Sequence, residues 1–157
     1  MIKLNDSLPD ASMQYFKNGE MITASTADLF TGKKVVLFAV PGAFTPTCSN
    51  THLPGYVVKA DDFSAKGIDS IICISVNDAF VMDAWGKSQN AENIIMLADG
   101  GADFTRALGL DVATGMFGGT RSQRYAMVVD NGKVTTLNVE APKSFEVSNA
   151  DTILATL

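Results

Sequence analysis

Cys48 stands in the run Pro41-Gly42-Ala43-Phe44-Thr45-Pro46-Thr47-Cys48-Ser49, between a stretch that reads as a buried strand and one that reads as a helix. With Thr45 as N-cap and Pro46 at N1, where a missing N–H costs nothing, Cys48 falls at N3 in the first helical turn. The unpaired N–H groups of that turn and the positive end of the helix dipole stabilise a thiolate over a thiol, which makes the side chain a nucleophile at neutral pH. A free cysteine is more commonly a small buried residue without reactivity, but placement at a strand end and a helix start favours the nucleophile here. Two side chains could assist it. Thr45, as cap, has its hydroxyl within reach of the Cys48 N–H and near the sulfur. Arg124 opens a strand expected to run antiparallel to the one before Cys48, so its guanidinium arrives at the same sheet edge. Arg121 competes for that role and is expected to be a solvated surface arginine.

His52 is the only histidine in the chain, so a Cys-His hydrolase or acyltransferase would have to run through the Cys48/His52 pair, which is four residues apart and shares a helix face. A thiolate held by a helix terminus needs no general base. A zinc site needs three or four ligands, and the only other soft ligand, Cys73, lies in a strand. His52 is therefore expected to pack or hydrogen-bond near the site, and no metal is expected. Cys73 lies three residues before the strand end at Val76, which puts it on the order of 10 Å below the edge where Cys48 should sit. A disulfide needs Cα atoms within about 7 Å, so Cys73 is expected to be an apolar core residue. There is no C-x-x-C and no G-x-x-x-x-G-K-[ST], and Gly115-Met116-Phe117-Gly118-Gly119 is not expected to follow a strand and open a helix. Dithiol chemistry and a nucleotide cofactor are both argued against.

These residues need a sheet to position them. Lys34–Val40 and Ile68–Val76 are apolar on both faces, the mark of parallel strands covered by helices. Residues 46–66 supply a crossover helix, kinked near Pro54-Gly55. A helix at Ala79–Ser88, a strand at Ile94–Ala98 and a helix at Ala102–Leu108 follow. Tyr125–Val129 and Val134–Val139 flank Asp130-Asn131-Gly132, a hairpin signature, and a last helix starts near Ser148. A small hairpin around Asn18-Gly19 and a short helix from Thr26 precede the main unit. The order is that of an α/β thioredoxin-like fold with an N-terminal hairpin and an inserted βα element, residues 1–157 forming one domain. Its ligands belong outside the strand ends at Pro41-Gly42 and Asn77-Asp78.

Composition agrees with such a domain: 46% of residues are hydrophobic, and 12 basic against 17 acidic side chains give a net charge of −5. That balance, with no basic run, argues against nucleic acid or an anionic membrane as partner. The longest apolar run, Val35–Val40, is far short of the roughly 20 residues that span a bilayer. The first residues lack a secretory layout, so a reducing cytoplasm is expected.

The run Pro41–Ser49 resembles the peroxidatic loop of peroxiredoxins, of general form P-x-x-x-T/S-x-x-C, and its continuation Asn50-Thr51-His52-Leu53-Pro54-Gly55 resembles the type II, peroxiredoxin-V subgroup. Cys73-Ile74-Ser75-Val76-Asn77-Asp78, Ala84-Trp85, Arg124-Tyr125-Ala126-Met127-Val128 and Leu137-Asn138-Val139-Glu140 extend the likeness over essentially the whole chain. The resemblance implies a thiol peroxidase for hydrogen peroxide and small alkyl hydroperoxides, without metal, haem or flavin. It implies Cys48 as peroxidatic cysteine, Thr45 as the hydroxyl that holds the peroxide, Arg124 as cationic partner and Pro41 as the ring that shields the thiolate. Gly42 follows Pro41 in the loop, and N–H groups around Thr47 and Cys48 would bind the peroxide oxygens. It also implies a homodimer with Met116-Phe117 near the interface. Many relatives carry a resolving cysteine near the C-terminus, and Glu140–Leu157 has none. The expectation is a one-cysteine enzyme recycled by glutathione and glutaredoxin, or by thioredoxin. The alternative is a thioredoxin-fold redox sensor or binding module in which Cys48 signals without turnover.

Overall fold

The run Val35–Val40 becomes a strand because both of its faces find cover. Val36, Phe38 and Val40 enter one apolar layer, and Val35, Leu37 and Ala39 enter the other, all without exposed surface. The computed structural model describes Met1 to Leu157. In chain order its elements are β1 (Ser12–Lys17), β2 (Glu20–Ser25), α1 (Thr26–Phe30), β3 (Lys34–Ala39), a π-helical turn (Cys48–His52), α2 (Leu53–Ala65), β4 (Ser70–Ser75), α3 (Ala79–Ser88), β5 (Ile95–Ala98), α4 (Asp103–Leu108), β6 (Asp111–Ala113), a 3-10 turn (Gly115–Phe117), β7 (Thr120–Ser122), β8 (Tyr125–Asp130), β9 (Lys133–Val139) and α5 (Ala150–Leu154).

Seven strands form one sheet in the order β2-β1-β5-β4-β3-β8-β9, and β6 pairs with β7 separately. β3, β4 and β5 are parallel, and β8 and β1 close the parallel core with antiparallel partners. One face carries α2, α3 and α5, whose Tyr56, Phe63, Trp85 and Ile153 cover Val36, Phe38, Cys73 and Val128. The other carries α1 and α4, with Phe30 and Phe104 over Leu37, Ile72 and Met127. Phe38 stacks on Tyr56 at 4.0 Å between ring centroids, which fixes α2 against the strand that precedes Cys48. This is the mixed α/β thioredoxin-like arrangement expected from the sequence.

Both Asn-Gly turns form as expected, because Asn18, Gly19, Asn131 and Gly132 all have positive φ, the backbone that a tight hairpin demands. The expected kink at Pro54-Gly55 lies one turn earlier. Pro54 has no N–H to give the Asn50 carbonyl and its ring would crowd it. The turn Cys48–His52 is widened instead, with the Leu53 N–H bonded to the Cys48 carbonyl.

Candidate active site

The chain leaves β3 with the Val40 N–H on the Ile74 carbonyl at 3.1 Å and enters a loop tied to the end of β4. The Ala43 N–H donates to Asn77 Oδ1 at 3.1 Å, and the same oxygen receives the Ser75 hydroxyl at 2.6 Å. Phe44 takes a left-handed φ of 63° and stays exposed, its ring 6.5 Å from Trp85. Trp85 in turn donates to Ser49 Oγ at 3.0 Å. Thr45 stands at the helix start as expected, but only its carbonyl caps, accepting the Ser49 N–H at 2.9 Å. Its hydroxyl turns back to donate to the Gly42 carbonyl at 2.6 Å and so is not on the Cys48 N–H. A Cβ on Gly42 would come within 3.2 Å of Thr45 Cγ2, so the absence of a side chain at Gly42 lets the two residues close on each other. The N–H groups of Thr47 and Cys48 precede this first intrahelical bond and are left free.

Arg124 reaches Cys48 by strand register. Tyr125 pairs with Ala39 in the antiparallel β3/β8 ladder, which carries Arg124 past the end of β3 to the edge where the Cys48 turn begins. Its Nη2 donates to Cys48 Sγ at 3.1 Å and its Nη1 donates to His52 Nδ1 at 2.7 Å. Cys48 itself has no exposed surface. The Phe145 ring lies 5.8 Å from the guanidinium and 4.9 Å from the His52 ring. Arg121 is not the solvated arginine expected. Its Nη1 holds the Val76 carbonyl at 2.9 Å and its Nε the Gly118 carbonyl at 3.0 Å, with the guanidinium so close over Gly118 that no side chain fits there. It clamps the loop after β4 and does not touch the sulfur. Cys73 is a free, buried thiol opposite Phe38, and burial, then the neighbouring Cys48, push its pKa well above the usual thiol range.

His52 is fully buried. Its Nε2 lies 3.1 Å from the Ser148 carbonyl, an acceptor only, so Nε2 carries the proton and Nδ1 offers its lone pair to Arg124. Burial first, and then the Arg124 charge, push its pKa down to about 3. The unfolded chain, with an ordinary histidine near 6.5, therefore binds more protons than the native state between those values, and stability falls as pH falls through that window. His52 alone should remove about 2 kcal/mol between pH 7 and pH 5. Urea unfolding at the two pH values should show this difference in the wild type and not in His52→Asn; equal slopes would refute it.

Glu140, for which spacing assigned no role, completes the surroundings. Its carboxylate accepts the N–H groups of Glu146, Val147 and Ser148 and the Ser148 hydroxyl, all within 2.9 Å. Burial would raise its pKa, but these bonds, the hydroxyl's foremost, hold it below the ordinary carboxylate value. A groove of about 620 Å³ opens at this edge, lined by Pro41, Thr47, Gln123, Arg124, Lys143 and Phe145 among others. The arrangement offers a buried sulfur under a fixed cation, free N–H groups on the same turn, and a groove walled by Thr47 and Arg124 next to it. A sulfur nucleophile in this place would have donors ready for an anion released by its attack.

A family model described as Redoxin matches residues 3–154. Peroxiredoxin-2B of Arabidopsis thaliana is 48% identical over 159 residues, covering 99% of this chain and 98% of the relative. The crystal structure of reduced Prx3 in complex with hydrogen peroxide from Vibrio vulnificus superposes with a TM-score of 0.97 at 65% identity, with 99% of each chain covered. The Plasmodium falciparum antioxidant protein, described as a 1-Cys peroxiredoxin, superposes with a TM-score of 0.91 at 30% identity over 97% of this chain and 96% of that one.

Proposed function

Because the chain belongs to the redoxin family as a type II peroxiredoxin, a peroxidase that reduces peroxides with a thiol, we propose that Cys48 is its peroxidatic residue and that Thr45 and Arg124 complete its catalytic set. The observation that carries this reading is the Arg124 Nη2 contact to Cys48 Sγ at 3.1 Å. The thiolate attacks the nearer peroxide oxygen; an S–O bond forms as the O–O bond breaks, and hydroxide or alkoxide leaves and takes a proton. The products are a Cys48 sulfenic acid and water or an alcohol. Thr45 has committed its proton to the Gly42 carbonyl, so its oxygen is free to accept the peroxide O–H. The Thr47 and Cys48 N–H groups and Arg124 face the charge that grows on the leaving oxygen. Pro41 walls the groove beside them and keeps water from the sulfur.

The substrates are hydrogen peroxide and small alkyl hydroperoxides, which would approach through the groove lined by Pro41, Thr47 and Arg124. An external thiol, glutathione with glutaredoxin, or thioredoxin, restores the enzyme in the cytoplasm: the sulfenic acid and one thiol give a mixed disulfide and water, and a second thiol releases Cys48. Support for a one-cysteine cycle lies in the position of Cys73, which has no exposed surface and sits within β4. Cys73→Ser is expected to keep near-normal turnover with glutathione and glutaredoxin in steady-state assays run against thioredoxin and its reductase. A dominant Cys48–Cys73 disulfide in peroxide-treated protein, with loss of turnover in the variant, would make it a two-cysteine enzyme. A homodimer is supported by Met116 and Phe117, which stand exposed on the turn between β6 and β7 as apolar surface available to a partner. Met116→Asp should shift sedimentation to the monomer, and a wild type that sediments as a monomer would exclude the dimer.

A further inference from the structure

Two polar groups near the C-terminus, Glu140 and Ser148, take no part in the chemistry above, yet an unbroken line of hydrogen bonds runs from them to the Cys48 sulfur. Glu140 follows β9, and its own N–H holds the Arg124 carbonyl at 2.9 Å. Its Oε2 gathers the Val147 N–H at 2.9 Å, the Ser148 N–H at 2.8 Å and the Ser148 hydroxyl at 2.7 Å. Those bonds wrap residues 140–148 into a closed loop and fix the Ser148 carbonyl. That carbonyl receives the Tyr56 hydroxyl at 2.7 Å and His52 Nε2 at 3.1 Å. With the proton committed to Nε2, Nδ1 can only accept. A guanidinium is planar and can only donate, so Nη1 held at 2.7 Å by Nδ1 leaves Nη2 aimed at the sulfur.

We propose that His52 and Glu140 are positioning residues for Arg124: Glu140 sets the Ser148 carbonyl, that carbonyl sets the His52 tautomer, and the bare Nδ1 holds the guanidinium on Cys48. A histidine placed for base catalysis would face the sulfur, and this one has both nitrogens occupied by other groups. The inference rests on the peroxidase reading only for the part Arg124 plays in turnover; its effect on the thiolate can be read without peroxide.

The experiment compares His52→Leu, which removes the acceptor, with His52→Asn, which keeps an oxygen close to the Nδ1 position, and with Glu140→Gln, which spoils the acceptor cluster around Ser148. Cys48 alkylation by iodoacetamide is followed across pH without peroxide, and sulfenate formation is followed by stopped flow with hydrogen peroxide. In His52→Leu the alkylation midpoint should move to higher pH and sulfenate formation should slow on the order of tenfold to a hundredfold, the scale of a misplaced catalytic group. His52→Asn should recover most of both, and Glu140→Gln should shift both in the same direction by less. The double variant Arg124→Ala/His52→Leu should be no slower than Arg124→Ala alone, since a residue that acts only through Arg124 has nothing left to position. Equal losses in His52→Leu and His52→Asn, additive losses in the double variant, or an alkylation profile unmoved in both His52→Leu and Glu140→Gln would overturn the proposal. If His52→Leu does not fold, the Glu140→Gln profile decides alone. A wild type inert to peroxide, with the alkylation series intact, would instead count against the peroxidase reading.

Discussion

Cys48→Ser is expected to abolish peroxide reduction while the protein remains folded. The serine hydroxyl stays protonated at any pH at which the fold survives, so no anion is available to attack the O–O bond. The site still accommodates the change sterically. Oxygen is smaller than sulfur, and Arg124 Nη2, which donates to Sγ at 3.1 Å, retains an acceptor, so the stability cost should stay near 1 kcal/mol. Peroxide consumption measured with a saturating thiol reductant, beside a thermal melt of the same sample, separates loss of chemistry from loss of fold. A folded variant that keeps a tenth of wild-type turnover would move the peroxidatic role elsewhere. Cys73 is the only other thiol, and one whose pKa burial raises well above the usual range is a poor nucleophile at neutral pH.

Much of this site was legible from local rules. The apolar runs placed β3 and β4, the Thr45-Pro46 pair placed a helix start just before Cys48, and an antiparallel β8 brought Arg124 to the sulfur through the Ala39–Tyr125 pairing. Each of these follows from patterns within one element or across one ladder. The misses share a different cause. The Thr45 hydroxyl could satisfy either the helix N–H groups or the Gly42 carbonyl, and the fold of the preceding loop, tied to Asn77 from 34 residues away, decided in favour of the carbonyl. Arg121 has carbonyl partners at Gly118 and at Val76, 45 residues earlier, and nothing near it in sequence marks that second partner. β6 and β7 are three residues each, and the residues of β6 are all exposed, so no apolar period announces them. The Ser148 carbonyl that fixes His52 comes from 96 residues away. A backbone oxygen carries no side-chain identity, so only the assembled fold reveals it.

Arg124→Ala is expected to slow sulfenate formation by a factor on the order of a hundred to a thousand. That factor corresponds to the roughly 2.7 to 4 kcal/mol typically lost with one preorganised donor to a developing anion. Two consequences of its geometry make the prediction specific. Arg124 serves two acceptors at once, Cys48 Sγ and His52 Nδ1, and a lysine ammonium on a flexible stem cannot hold both in one plane, so Arg124→Lys should recover only a small part of the rate. Its charge is also the second cause, after burial, of the low His52 pKa. Without it the His52 pKa should rise from about 3, and because burial remains, the share of the stability loss that His52 causes should shrink only below pH 5, even as the buried Nδ1 is left without a donor. Stopped-flow oxidation at several peroxide concentrations reads the rate, and urea unfolding at pH 5 and pH 4, beside the wild type, reads the linkage. Arg121→Ala, run in parallel, should loosen the loop after β4 with a much smaller change in rate, because that guanidinium is spent on the Val76 and Gly118 carbonyls. An oxidation rate unchanged in Arg124→Ala, or a larger loss in Arg121→Ala, would take the cation away from Arg124 and with it the reason for a hydrogen-bonded histidine at its back.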